Sequence, residues 1–139
     1  MKVTLNRIND NFLFEAKGGG DVPVYIDSKT DEVTKGASPM ELLLMGIGGC
    51  NAIDIISILK KQRQVVASYK IEVEGIRKEV KEAKPFESVH VIIYLEGDIN
   101  PEKVKRAASL SFEKYCSVSI TMEGCVKVTY KIVLNGKPI

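Results

Sequence analysis

The pattern of apolar and polar residues divides the chain into segments typical of strands and helices. Near the start, segments 2–8 and 12–17 flank an Asn-Asp-Asn turn and are predicted to form a hairpin. A run of three glycines then leads into a third predicted strand over 22–27, and the polar segment 28–37 predicts a loop. The chain is therefore expected to open with three consecutive strands.

A long apolar segment, 38–63, predicts one helix. Ser38 stands before Pro39, and Glu41 follows three residues after the serine, which is the pattern of a capping box with proline at the first helical position. Three glycines lie in the middle of the helix, directly before or near Cys50. Each lowers helix stability by roughly 0.5–1 kcal/mol relative to alanine, which indicates that another segment approaches closely at this point.

Two alternating segments, 69–77 and 88–95, predict a pair of strands. A second helix is predicted to begin after Asn100, an N-cap residue followed by proline, and a last strand alternates over 126–134. The order βββ-α-ββ-α-β is that of an α+β protein. Because the sequence contains no repeat or linker, it predicts a single domain over 1–139.

Composition and charge exclude several classes of protein. The chain has 139 residues, of which 45% are hydrophobic and 27% charged, as in an ordinary globular protein. Its net charge of +2 at pH 7 comes from interleaved signs, which argues against a nucleic-acid partner. The start lacks the pattern of a secretion signal, and Asn51 and Asp54 interrupt the apolar helix too early for a membrane span. We therefore expect a cytoplasmic protein.

The three cysteines are the candidates for chemistry, because a reducing compartment disfavours structural disulfides. Cys50 shares a helix face with Asp54 and a glycine, and Cys116 follows near the end of the second helix. Cys125 is expected to be a packing cysteine. No paired-cysteine spacing or histidine cluster accompanies His90, so we expect no metal site, and no cofactor is expected either.

Asp54 has two interpretations. It either caps or pairs with a neighbouring segment, or its negative charge raises the pKa of the Cys50 thiol and opposes thiolate formation. In the second case a nucleophilic Cys50 needs a cation, and the arginines outside the long helix are Arg7, Arg77 and Arg106.

Two motifs together resemble the OsmC/Ohr family of hydroperoxide-resistance proteins, and specifically its YhfA-like branch. They are "GASPMELLLMGIGGCNAIDIISILKKQR" and "FEKYCSVSITM". They contain the Ser-Pro-x-Glu helix start, the Gly-Gly-Cys followed by aspartate, and the Tyr-Cys-Ser-Val that members of the branch share. The likeness covers nearly the whole chain, including the order of its elements.

The resemblance implies an intertwined homodimer with the long helices at its centre and a two-cysteine site at the subunit interface. In the family the first cysteine, matched by Cys50, attacks the peroxide O–O bond and becomes a sulfenic acid. The second, matched by Cys116, condenses with it to a disulfide that an external thiol reduces. The implied function is a thiol-dependent peroxidase that reduces organic hydroperoxides in the oxidative stress response.

The chain departs from the peroxidase branches in two places. Met40 stands where a glutamate directly follows the helix-starting proline, and no arginine occurs in the second or third strand. Glu41 matches the neighbouring acidic position, either as a site residue or only as part of the capping box. Arg77, at the end of a strand, is the preferred source of the missing cation, and its alternative interpretation is a solvated strand end.

These departures keep two other functions open. One is a non-enzymatic, redox-sensitive or small-ligand-binding dimer that keeps the fold without the activating pair. The other is sulfur or persulfide handling by the same cysteines.

Overall fold

The computed structural model describes residues 1–28 and 33–139. It contains two compact units, Met1–Leu43 and Leu44–Ile139. The loop predicted over 28–37 lies partly outside the described residues. The single domain over 1–139 stays a prediction.

The first unit contains a three-stranded antiparallel sheet in the order β1-β2-β3. Its strands are Thr4–Arg7, Phe14–Lys17 and Pro23–Ile26. The β1–β2 turn is fixed by Asn9 Oδ1, which accepts hydrogen bonds from the backbone N–H groups of Asn11 and Leu13, each at 3.1 Å. The three predicted strands are confirmed, with ends a few residues shorter than the sequence pattern indicated.

Helix α1, Pro39–Lys61, begins with the predicted capping box. Ser38 Oγ accepts a hydrogen bond from the Glu41 backbone N–H at 3.3 Å, and Glu41 Oε2 accepts one from the Ser38 backbone N–H at 2.8 Å. These two oxygens thus accept from backbone N–H groups that the helix start would otherwise leave unpaired.

The second unit contains a four-stranded sheet in the order β4-β5-β6-β7. Its strands are Ser68–Arg77, Phe86–Glu96, Lys127–Leu134 and Lys137–Pro138. Strands β4 and β5 form the predicted antiparallel pair, whereas β5 and β6 are parallel. A parallel pair needs a crossover connection, and the helices between β5 and β6 supply it. The α+β class is confirmed, and the short strand β7 was not predicted.

The second predicted helix is present, but its last turn is π-helical, and a short further helix follows it. Helix α2, Pro101–Leu110, begins at the predicted cap, where Asn100 Oδ1 accepts the Glu102 backbone N–H at 2.9 Å. A π-helical turn, Ser111–Tyr115, follows, and the chain then extends at Cys116 before helix α3, Ser117–Met122. The sequence pattern did not predict the π-helical turn or α3.

The core of the second unit lies between α1 and the sheet. Ile47, Ile55 and Leu59 on one face of α1 are fully buried, as are the inward-facing residues of β5. A Cβ atom added at Gly48 would lie 2.9 Å from Val73 Cγ2 on β4. One of the three glycines is therefore required because α1 approaches the sheet closely.

In the described part of the chain, α1 is the one helix whose length and composition would allow it to cross a membrane. Its buried face packs within the second unit, which makes it a core helix of the fold. The opposite face leaves several apolar side chains exposed, among them Met45, Ile53 and Ile56.

Candidate functional site

The second unit brings Cys50, Asp54 and Cys116 together. Cys50 and Asp54 lie one turn apart on the same face of α1, and Cys116 lies at the junction between the π-helical turn and α3. The two sulfur atoms and a carboxylate oxygen of Asp54 all lie within 4.8 Å of one another. The fold thus joins two cysteines that are 66 residues apart (116 − 50) in the sequence.

Backbone amides of α3 hold both sulfur atoms. Cys116 is the N-cap of α3, and its Sγ accepts a hydrogen bond from the Ser119 backbone N–H at 3.3 Å. The Cys50 sulfur lies within 4.8 Å of Cys116 Sγ, and the Val118 backbone amide favours the thiolate form of Cys50. Cys116 is buried, whereas Cys50 is half-buried. The pair is thus reached from solvent through Cys50.

A buried polar network supports the sulfur pair from within the core. Ser111 Oγ lies 2.8 Å from Asn51 Oδ1 and 3.2 Å from Asp54 Oδ2, and Asn51 Nδ2 donates to Ser119 Oγ at 3.2 Å. The network connects α1 with the π-helical turn and with α3. The sequence did not predict this network. The one signal for it was Asn51, a polar residue next to Cys50 in an otherwise apolar helix.

The surroundings raise the pKa of the Cys50 thiol. Burial is the largest cause, the hydrogen bond and charge of Cys116 add to it, and the Asp54 carboxylate contributes in the same direction. The Val118 N–H lowers the pKa and only partly opposes them. The Asp54 charge therefore acts in the direction expected from the sequence, and its hydrogen bond from Ser111 Oγ shows that Asp54 also pairs with a neighbouring segment.

The other predicted site residues lie elsewhere. Glu41 is engaged in the capping box, nine residues before Cys50 (50 − 41). Arg77 is at the end of β4, where its Nε donates to the Lys84 carbonyl, and it is not among the groups that set the pKa of Cys50.

The remaining histidine and cysteine also lie outside the sulfur pair. His90 Nδ1 is hydrogen-bonded to Thr129 Oγ1 at 2.8 Å. Cys125, expected to be packed, is exposed.

A cleft of about 800 Å³ adjoins Asp54. One wall is the C-terminal half of α1 and the other is α2, and its lining includes Lys61, Lys103 and Arg106. Lys61 is seven residues beyond Asp54 on α1, which is about 10 Å along the helix axis. The cleft is therefore acidic at the end next to the sulfurs and basic at the other.

The fold is α+β, and it brings a cysteine of the long helix next to a second cysteine at the cap of a later helix. Known protein families with this sequence pattern identify the class to which the chain belongs. The model of the family described as "OsmC-like protein" matches residues 30–131. The chain is 37% identical over 120 residues to Protein YhfA of Escherichia coli (strain K12), which covers 86% of each chain. The chain belongs to the OsmC-like family and resembles its YhfA-like members.

Solved structures agree with this assignment. A hypothetical protein from Aquifex aeolicus VF5 is similar with a TM-score of 0.81 and 31% identity, over 96% of both chains. The organic hydroperoxide resistance protein OhrB of Bacillus subtilis is similar with a TM-score of 0.67 and 18% identity, over 94% of this chain and 96% of that one. At that identity the likeness to OhrB shows the fold alone.

Proposed function

We propose that the protein is a thiol-dependent peroxidase that reduces organic hydroperoxides and serves in the oxidative stress response. The observation that carries the proposal is the proximity of the Cys50 and Cys116 sulfur atoms, which lie within 4.8 Å of each other, Cys50 half-buried and Cys116 buried. Membership of the OsmC-like family supports it, as does the fold shared with a protein named for organic hydroperoxide resistance.

The electrons of the cycle pass from an external thiol through the two sulfurs to the peroxide. The Cys50 thiolate attacks one peroxide oxygen, the O–O bond breaks, and the protonated leaving oxygen departs as the alcohol, so that Cys50 is oxidised to a sulfenic acid. Cys116 then attacks the Cys50 sulfur, and a disulfide forms as water leaves. Two equivalents of an external thiol reduce the disulfide and are themselves oxidised to a disulfide.

Steady-state consumption of cumene hydroperoxide with a dithiol reductant tests this function. The parent and Cys125→Ser should consume the peroxide at similar rates, because Cys125 lies outside the sulfur pair. Cys50→Ser should be inactive, and Cys116→Ser should lose turnover because its sulfenic acid is not resolved. A parent rate no faster than that of Cys50→Ser would reject the proposal.

The active species in this proposal is a cytoplasmic homodimer. The face of α1 that points away from the core is apolar, with Met45 exposed by 59% and Ile53 by 72%, and Gly46 and Gly49 lie between them. Burying such a face in a second copy of the chain removes apolar surface from water. Cys50 lies on α1 next to this face, so that a second subunit would also cover the sulfur pair.

The cation that activates Cys50 is assigned to Arg77 in this proposal. A guanidinium beside the sulfur stabilises the thiolate and the departing peroxide oxygen. Since Arg77 is not among the groups that set the Cys50 pKa within one chain, it would act from the partner subunit or after movement of the β4–β5 connection. Glu41 would then orient the arginine in addition to capping α1.

A second function is favoured by one observation. The groups that set the pKa of Cys50 include no lysine or arginine from residues 1–28 and 33–139, and that pKa is raised. A thiol in these surroundings suits a non-enzymatic redox-sensitive or ligand-binding dimer, or a protein that handles persulfide sulfur. Disulfide formation without sustained peroxide turnover in the assay above would select this second function.

A further inference from the structure

The geometry points to a binding site for a divalent metal ion that prefers thiolate ligands, Zn²⁺ above all, formed by Cys50, Asp54 and Cys116. Sequence reasoning excluded a metal because no local ligand motif is present. The fold assembles the ligands from α1 and from the start of α3 instead. Two sulfurs and one carboxylate oxygen are a donor set that Zn²⁺ accepts, and three protein ligands leave a fourth position open.

The positions of the donor atoms suit a tetrahedral ion. With Zn–S near 2.3 Å and Zn–O near 2.0–2.2 Å, the donors of one tetrahedron lie roughly 3.3–3.8 Å apart. In the structure the three donor atoms are mutually within 4.8 Å. Cys50 and Asp54 follow one turn apart on the same helix face, so that small side-chain rotations bring both onto one ion.

Two of the three ligands already have a hydrogen-bond donor beside them. The Ser119 N–H donates to Cys116 Sγ, and Ser111 Oγ lies 3.2 Å from Asp54 Oδ2. Such outer contacts fix the orientation of first-coordination ligands and delocalise their negative charge.

The charge of the cluster favours a cation. Three groups that each carry a negative charge when ionised lie within 4.8 Å of one another. A divalent ion would supply the missing positive charge. Binding converts the two thiols to thiolates and releases two protons to solvent, and because Cys50 is half-buried, a water molecule can complete the tetrahedron.

The bound metal would regulate the peroxidase, and this consequence rests on the proposed function. Zinc-bound sulfurs are not free to attack a peroxide or to form a disulfide, whereas a Cys50–Cys116 disulfide has no thiolates to bind zinc. The metal-bound and the oxidised protein are therefore mutually exclusive states, and micromolar zinc should inhibit peroxide consumption.

Cobalt(II) titration of the full-length, reduced, metal-free protein tests the site without any peroxide. We expect one Co²⁺ per chain, with thiolate-to-cobalt charge-transfer bands and the visible bands of tetrahedral cobalt, and loss of both when Zn²⁺ is added. About two protons should be released per metal, measured with a pH indicator.

Matched variants locate the ligands. Cys50→Ser and Cys116→Ser should lose the charge-transfer bands or weaken binding by well over tenfold, Asp54→Asn should weaken it by at least about tenfold, and Cys125→Ser should bind like the parent. Serine is a favoured N-cap, so Cys116→Ser keeps α3, and circular dichroism checks this.

Two outcomes would overturn the metal site: absent cobalt bands in the parent, or cobalt bands that are unchanged in Cys50→Ser. Intact bands without peroxide turnover would reject the peroxidase and retain the metal site.

Discussion

Ser111 Oγ and Asn51 Oδ1 lie 2.8 Å apart inside the core, and their hydrogen bond joins the π-helical turn to α1. The same asparagine donates to Ser119 in α3 and to the Ile47 carbonyl in α1. The bonds to Ser111 and Ser119 together hold the start of α3, and with it Cys116, against the helix that carries Cys50. The position of the second sulfur therefore depends on one buried asparagine.

Replacement of that asparagine should be costly. Asn51→Ala leaves the Ser111 and Ser119 hydroxyls buried with fewer partners, and each such loss costs about 1–3 kcal/mol. We expect the free energy of unfolding, measured with urea, to fall by about 2–4 kcal/mol. Ser57→Ala, an exposed change on the same helix, is the control and should stay within about 0.5 kcal/mol of the parent. A similar effect of both changes would mean that the network does not stabilise the fold.

The exposed face of α1 should hold the dimer together. Ile53→Lys places a charge on that face and removes apolar burial worth about 1.5–3 kcal/mol in each subunit. The dissociation constant from sedimentation should therefore rise at least about a hundredfold. Ile76→Lys is the matched control, because Ile76 is also exposed but lies on β4. A parent that is monomeric at micromolar concentration would contradict the prediction.

Thiol reactivity should follow burial and pH. Burial, then Cys116 and Asp54, raise the pKa of Cys50, so at neutral pH less of this thiol is ionised than of an ordinary cysteine, and its alkylation rate rises as pH rises. In the reduced, metal-free protein, iodoacetamide should label the exposed Cys125 before Cys50, and the buried Cys116 last. Asp54→Asn should shift the Cys50 rate profile to lower pH. An unchanged profile would show that the Asp54 charge does not act on the thiol.

Arg77 should affect catalysis and not the fold. If its guanidinium supports the Cys50 thiolate and the departing oxygen, Arg77→Ala should lower the rate of peroxide consumption by at least about tenfold. The urea unfolding midpoint should change little, because Arg77 is exposed. Arg7→Ala, in β1, is the control and should keep the parent rate. Equal rates in the parent and in Arg77→Ala would leave Arg77 as a strand end without a role in the site.

Local sequence rules predicted most elements of the fold. The capping box of Ser38 and Glu41 and the Asn100-Pro101 cap depend on hydrogen bonds within a few residues, and both were found where predicted. Alternation likewise located β4, β5 and β6, in which more buried and more exposed residues follow one another along the strand. These features depend on neighbours along the chain, and so the sequence alone contains them.

The site depends on contacts that no local pattern records. The sequence pattern continues one regular helix through Tyr115, yet the hydrogen bonds that join Asn51 to Ser111 and Ser119 accompany a π-helical turn and a further short helix after Cys116. Only the family resemblance paired Cys116 with Cys50 in advance. The cluster with Asp54 became visible once the fold had brought together residues more than 60 positions apart (116 − 54 = 62).

The intact mass of the reduced protein, before and after one equivalent of cumene hydroperoxide, tests the two-cysteine cycle most directly. We expect a loss of two hydrogens per chain and, after proteolysis, one linked pair of peptides that contains Cys50 and Cys116. Cys125→Ser should behave in the same way, and a thiol reductant should restore the original mass. An unchanged mass, a gain of oxygen without a linked pair, or a link to Cys125 would contradict a disulfide cycle between Cys50 and Cys116.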